Sequence, residues 1–309
     1  MSGILIFSED AILTRQLFTA GLELKKTMNQ PLYIAVIGDE HLASITNLGA
    51  DKIFVLKGAN TWPESYAEAI ASLASNEQIS VGLIGGNLRG KDIAAKVAAQ
   101  LKAGLVTEAQ TIGFVDGCLQ TTRLLYGGLA VATEAVSLPA WATIAPKTFD
   151  EASILDSESE ICTIEVTDMD DRITIGEVNS IVREGVEIEA AQRVVCVGRG
   201  LNKQDDLKMV EDLAQALGAE IGCTRGIAED YHWLPVERYI GISGQKIKPE
   251  LYLSIGVSGQ VQHVAGVRDS KIIVAVDSNE KAPIFTVADY GIVGDIYEVM
   301  PLLTAALKK

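Results

Sequence analysis

Ser258, Gly259, Gln260, Gln262 and His263 follow directly on an apolar run, Leu251 to Val257. Strand, small-residue turn and helix is the arrangement by which α/β proteins offer backbone N–H groups to a phosphate. Gln262 and His263 fall just inside the expected helix, where a bare helix start has no need of them. A lone histidine on a helix is usually a packing residue. Here it is one of three in the chain and lies six positions beyond a buried strand. Gly198-Arg199-Gly200 ends a second apolar strand, Arg193 to Val197, with glycines for close backbone approach and an arginine for charge. Alone, a Gly-x-Gly without the third glycine is common. Thr224-Arg225 ends a third strand, at the edge where α/β sheets bind ligands. A surface salt bridge is the equal alternative for Arg225. Tyr239-Ile240-Gly241-Ile242-Ser243-Gly244 repeats the hydroxyl-and-glycine pattern of Ser258-Gly259. Asp289-Tyr290-Gly291 and Gly294-Asp295 read as a closing turn with carboxylates. Glycine turns, arginine, histidine and carboxylates together suit a large, elongated, anionic ligand. A dinucleotide fits that set better than a metal or a sugar.

No Ser/His/Asp or Cys/His arrangement for nucleophilic catalysis stands out. The cysteines Cys118, Cys162, Cys196 and Cys223 are far apart, and none forms a CxxC. With three histidines, that argues against a zinc site. Cys196 lies in an apolar strand and reads as a structural thiol. A formal net charge of −15 with no basic cluster argues against nucleic acid and against an anionic membrane surface. No run approaches the roughly 18 apolar residues of a membrane span. MSGILIFSED at the start reads as a strand, not a signal peptide. A reducing cytoplasm is the expected location.

The elements that would carry these residues divide in two. In the first half, apolar strands at Ile4 to Phe7, Leu32 to Ile37, Lys52 to Leu56 and Ile79 to Ile84 alternate with helical patterns at Ala11 to Lys26, Leu42 to Leu48, Ser65 to Leu73 and Ile93 to Leu101. Alternation of this kind predicts a parallel sheet flanked by helices. The turn Gly85 to Asp92 superficially suggests a phosphate loop, but its spacing is wrong, so an ordinary strand-to-helix connection is preferred. From Val106 onward, Thr121 to Tyr126, Ala130 to Val136, Ala142 to Ile144, Ile161 to Val166 and Arg172 to Ile175 predict added strands, partly antiparallel. Tyr126-Gly127-Gly128 reads as a bulge or tight turn. The charged stretch Glu177 to Ala190 reads as a linker. The expected organisation is therefore two α/β domains, 1–190 and 191–309, each with a mainly parallel sheet flanked by helices. The first carries the added antiparallel strands.

The block Val194 to Leu302 resembles the C-terminal FAD domain of electron transfer flavoprotein alpha subunits. The resemblance rests on VGRGL (197–201), GCTRGIAE (222–229), YIGISGQKIKPELYL (239–253), GVSGQVQH (256–263) and APIFTVADYGIVGDIYEVMP (282–301). The first half resembles the family's N-terminal domain by strand order and by GKDIAAKVAAQL (90–101). RYIGISG and GQVQH are most similar to the bacterial FixB-type branch.

The resemblance implies an electron carrier rather than an enzyme, with FAD as cofactor and a beta subunit as heterodimer partner. Its redox partners would be an acyl-CoA dehydrogenase-type flavoenzyme and a quinone- or ferredoxin-linked oxidoreductase, the former type of acceptor at a membrane. It places Arg199 near the cofactor's phosphate and adenosine part, and Thr224-Arg225 beside the flavin ring. Tyr239, Ile240, Gly241, Ile242, Ser243 and Gly244 would form a loop with the Ser243 hydroxyl near N5. Ser258, Gly259, Gln260, Val261, Gln262 and His263 would wrap the cofactor, with His263 near the flavin C2 carbonyl. Asp295 and Ile296 would line the adenosine end. Reduction of a flavin puts negative charge on N1 and the C2 carbonyl, so a cationic or hydrogen-bonding His263 and Arg225 would favour it. Three positions depart from the family pattern: Ser243 for Thr, Ile242 for Gln and Asp277 for Asn. Asp277 leaves three alternatives: it binds a ribose hydroxyl, is protonated, or points away. Two other functions are compatible with the residues alone. One is a flavoenzyme with its own small substrate, and the other is a non-redox AMP- or ATP-binding module.

Overall fold

A computed structural model of the chain describes residues 2–59, 62–155, 158–167, 173, 175–177 and 188–308. The chain divides into two compact units, Met1–Asn179 and Ser180–Lys309. Of the stretch 177–190 read as a linker, only 177 and 188–190 are described, and of the expected strand 172–175 only 173 and 175.

In the first unit the strands are β1 (Gly3–Phe7), β2 (Leu32–Ile37), β3 (Lys52–Gly58), β4 (Ile79–Gly85), β5 (Gly104–Val106), β6 (Thr111–Val115), β7 (Cys118–Leu125), β8 (Ala130–Ser137), β9 (Ala140–Ile144) and β10 (Glu160–Val166). The helices are α1 (Ala11–Met28), α2 (Ala67–Asn76) and α3 (Leu88–Leu101). Seven strands form one sheet, in the order β10-β3-β2-β1-β4-β9-β5. Every pairing in it is parallel. Both faces are covered, which is why β1, β4 and β9 are buried end to end and read as continuous apolar runs. One face packs on α1 and on the inner side of the antiparallel sheet β6-β7-β8. The other packs on α2 and α3.

The expected fold class holds. The added antiparallel set is smaller than expected, because β9 and β10 join the parallel sheet instead. β10 is an edge strand with alternating exposure, the pattern a half-buried antiparallel strand also shows. The expected helix at Leu42 to Leu48 is two short 3-10 turns, with Gly49 taking a left-handed conformation at their end.

The second unit contains β11 (Arg193–Val197), β12 (Glu220–Cys223), β13 (Leu251–Ile255), β14 (Ile273–Asp277) and β15 (Tyr290–Val293), with α4 (Leu207–Leu217), α5 (Val261–Val267) and α6 (Ile296–Leu307). Its five strands are all parallel, in the order β12-β11-β13-β14-β15. α4 and α6 cover one face. α5 lies over the other. Gly218 closes α4 in a left-handed conformation, and Asp295 caps α6 by accepting from the Tyr297 N–H. Tyr290 to Val293, read from sequence as part of a turn, is the edge strand β15. Its four residues are too few to show a period.

Gly82 on β4 faces the Trp141 ring on β9. A Cβ there would lie 2.1 Å from Trp141 Cε3. Gly82→Ala is expected to destabilise the first unit by about 1–3 kcal/mol, read as a lower urea midpoint.

Candidate functional site

The strand order of the second unit reverses between β11 and β13. Chains leaving these two strands run in opposite directions and open a crevice at their C-terminal ends. Gly198-Arg199-Gly200 leaves β11, and Gly256-Val257-Ser258-Gly259 leaves β13. The two turns touch backbone to backbone: the Gly200 N–H donates to the Gly256 carbonyl at 3.0 Å, and the Gly198 N–H to the Ile255 carbonyl at 3.1 Å. A Cβ on Gly200 would lie 2.7 Å from Gly256 Cα, and Gly256 has φ +59°. Only glycines allow this approach.

Above the turns is a cavity of about 680 Å³. It is lined by Arg199, Thr224, Arg225, Tyr239, Ile240, Ser243, Ser258, Gly259, Gln260, Gln262, His263 and Asp277, all singled out from sequence. Gly200, Gly226, Asp230, Gly256 and Val257 complete it. A second cavity of about 250 Å³ shares Gly200, Gly256 and Asp277 with the first, so the two adjoin. Asp295 and Ile296 line it, as expected, together with Asn202, Ser278 and Tyr297. Four expected residues line neither: Gly241, Ile242, Gly244 and Val261. Gly241 and Gly244 instead give room to the Tyr239 ring, against which a Cβ on either would press at about 3 Å or less. Ile242 uses its backbone N–H on the Gln262 carbonyl at 2.8 Å. Sequence reading missed Tyr297. Its hydroxyl donates to Asp206 Oδ2 at 2.6 Å and accepts from the Asn202 N–H at 2.8 Å. These partners are about 90 positions away, so no local pattern could reveal them.

The side chains fall into three groups. Arg225 gives its Nε–H to Glu229 Oε2 at 2.6 Å, which leaves the terminal N–H groups of the fork available to the cavity. Both expectations for Arg225, a crevice residue and a salt-bridge partner, therefore hold at once. The Ser243 hydroxyl is 3.1 Å from the Tyr239 hydroxyl. Asp277 accepts the Asn279 N–H on Oδ1 at 2.9 Å and borders both cavities.

His263 departs from expectation. Its Nδ1 is 3.0 Å from the Ile240 carbonyl and its Nε2 is 2.7 Å from the Tyr252 hydroxyl. A carbonyl only accepts, so Nδ1 carries the proton and Nε2 accepts from Tyr252. Both ring nitrogens are thus engaged within the protein. The residue is 7% exposed, and burial lowers its pKa from 6.5 to about 4. A cationic His263 is therefore opposed by desolvation, and neither nitrogen is free for a flavin carbonyl. Cys196, 3.9 Å from Nε2, is a buried thiol pushed far up by the same burial.

The first unit also has a reversal in strand order, between β1 and β4, where Asn87 bonds to its own turn and to Glu9. Asn87 accepts the Gly90 N–H at 2.8 Å and donates to Glu9 Oε1 at 2.7 Å. Gly85 to Asp92 is a capped helix start. Among the described residues no His/Cys/Asp/Glu cluster could hold a metal, and no helix is long and apolar enough to cross a membrane.

Comparison with known proteins bears on both units. A family described as the electron transfer flavoprotein FAD-binding domain matches residues 187–268. The electron transfer flavoprotein domain family matches residues 9–169. YdiR of Escherichia coli strain K12, which bears the name of an electron transfer flavoprotein subunit, is 38% identical over 314 aligned residues, covering 100% of this chain and 99% of its own. Protein FixB of the same strain is 38% identical over 279 residues, 89% of each chain.

Two outcomes follow from the site. Gly256→Ala would force the two turns apart and strain φ, lowering stability by about 1–3 kcal/mol and abolishing cofactor uptake by the refolded protein. The second concerns acid. Because His263 is depressed to about 4 when folded, its stabilising contribution is complete above pH 6.5. It is lost as the unfolded chain takes up a proton that the folded chain refuses, from pH 6.5 down to about 4. The full loss is about 3 kcal/mol. Denaturant titrations across that range should show a flatter acid limb for His263→Gln than for wild type.

Proposed function

The chain belongs to the electron transfer flavoprotein family, as an alpha-type subunit whose second unit carries the FAD-binding domain. From that premise we propose that the two adjoining cavities hold one FAD, with 191–309 as the cofactor domain and 1–190 as the partner-contact domain. The observation that carries this reading is the pair of cavities meeting at Gly200, Gly256 and Asp277 over a floor of glycine backbone. An elongated dinucleotide needs two connected lobes, and the donors suit its phosphates. When bound, FAD supplies the exchange of one or two electrons.

The residues bind, orient and set the electrostatics. Arg225 presents a guanidinium to the larger lobe, where positive charge favours the reduced, anionic ring. Glu229 fixes its direction from outside. Arg199, beside the turn, suits the phosphates. Ser243 offers a hydroxyl whose orientation is shared with Tyr239. Asp277 has one oxygen left after Asn279, and an ionised carboxylate attracts hydroxyl donors but repels phosphate. Of its three alternatives, contact with a ribose hydroxyl fits best. His263 contributes as a neutral wall residue, so the cation that tunes the flavin is Arg225. None of these residues needs to act as base or nucleophile, which accords with an electron carrier rather than an enzyme.

The partner in this reading is a beta-type subunit. The outward face of β6-β7-β8 supports a contact there. Its outward positions include Val115, Gln120, Thr122, Leu124, Val131, Thr133 and Ala135, with no charged side chain, in a chain of net charge −15. Val131 is 65% exposed, and Tyr126 and Leu129 at the hairpin end are 79% and 73% exposed. Electrons would come from or go to an acyl-CoA dehydrogenase-type flavoenzyme and a quinone- or ferredoxin-linked oxidoreductase. The location in this reading is the cytoplasm.

Co-expression with a beta-type subunit is expected to give a yellow complex that releases FAD on heating. A colourless complex, or one releasing AMP and no flavin, would overturn the reading.

A further inference from the structure

We infer that Tyr252, which lies beneath the cavity and does not line it, is a positioning residue of the flavin site: through His263 it fastens the loop that carries Ser243 to the helix that carries Gln262. The inference rests on the FAD reading only in that Ser243 and Gln262 are taken to face the flavin.

Three elements meet at one imidazole. Tyr252 comes from β13, in the middle of the sheet, and is 0% exposed. His263 comes from α5. Ile240 belongs to the segment 239–247, whose start pairs with the end of β12 through a bridge between Tyr239 and Cys223. The Tyr252 hydroxyl donates to Nε2 at 2.7 Å, and Nδ1–H donates to the Ile240 carbonyl at 3.0 Å. A neutral imidazole has one donor and one acceptor, and both are spent in bridging sheet to loop.

The remaining ties between loop and helix are backbone bonds: Ile242 N–H to the Gln262 carbonyl at 2.8 Å and Ile247 N–H to the Gly266 carbonyl at 2.9 Å. The seam is tight, since a Cβ on Gly266 would lie 2.7 Å from Gly241 N. The backbone bonds set how the loop lies on α5. They do not tie α5 to the sheet. The loop start reaches it separately, through the Ile240 N–H on the Cys223 carbonyl of β12 at 2.9 Å. The imidazole ties α5 and that loop start to the centre of the sheet, because Tyr252 is rooted in β13 between two parallel neighbours. The register of Ser243 against Ser258 to Gln262 is then referred to the central strand of the unit. A side chain held by packing and by a second hydrogen-bonding residue is how a site keeps its geometry.

The test uses the complex with its beta-type partner. Tyr252→Phe removes one oxygen and leaves the ring in place. The expected result is amide hydrogen exchange about tenfold faster at 240–244 and FAD release about tenfold faster, the size expected for one buried hydrogen bond. His263→Leu should loosen the same loop. Tyr252→Phe added to His263→Leu should change neither measurement further, because the hydroxyl acts through the imidazole. Loop exchange and FAD release unchanged in Tyr252→Phe would overturn the inference. So would full additivity in the double variant, which would mark Tyr252 as a general core residue. If Tyr252→Phe does not fold, unchanged loop exchange in His263→Leu overturns it alone. Loop exchange is read without flavin, so wild type lacking FAD would count against the functional reading and leave this test standing.

Discussion

The site depends on one contact: the backbone of Gly200 against the backbone of Gly256. Parallel strands β11 and β13 lie side by side, and their chains then separate to opposite faces of the sheet. The gap that opens is a consequence of topology. The two turns meet as a floor without side chains, held by the Gly198 and Gly200 N–H groups on the Ile255 and Gly256 carbonyls. Any larger residue would fill that floor or push the turns apart. Arg199 on one side and Ser258 on the other are positioned by the same contact. The two cavities adjoin there, sharing Gly200, Gly256 and Asp277 in their linings.

Electrostatics in the larger lobe divide between a cation at the rim and a neutral ring in the wall. Burial works against a charge on His263, and its two nitrogens already have partners. Arg225 is exposed enough to stay charged at little desolvation cost, while Glu229 restricts its direction. A carrier benefits from this division. In the proposed reading the charge that would attract the reduced cofactor sits at the exposed rim, and the buried polar groups serve geometry. Fixed donors that need not reorganise are the usual means by which a protein stabilises developing charge.

Much of this was legible in the sequence. Apolar runs bounded by glycine predicted the core strands, because a sheet covered on both faces leaves no polar positions. Gly198-Arg199-Gly200 and Ser258-Gly259 were recognisable because close backbone approach requires glycine at fixed places. What sequence hid is long-range. β10 carries an alternating pattern that fits an antiparallel strand and β9 is only five residues long, so only tertiary contact assigns them to the parallel sheet. The four-residue strand β15 is too short for a period. The neutrality of His263 follows from its burial, and its tautomer from Tyr252 and Ile240, 11 and 23 positions away. Tyr297 joins the smaller lobe through Asp206, 91 positions away. Spacing finds residue types suited to a ligand, whereas their charge state follows from the neighbours that folding supplies.

The account stands on a dinucleotide spanning both lobes. Calorimetric titration of the flavin-free complex with FAD and, separately, with FMN tests that directly. FMN can fill the larger lobe but leaves the one lined by Asp295 and Tyr297 empty. The expected result is FMN binding at least about a hundredfold more weakly than FAD, as loss of a whole buried lobe implies. Equal affinities would contradict the account, because the second cavity would then play no part in holding the cofactor.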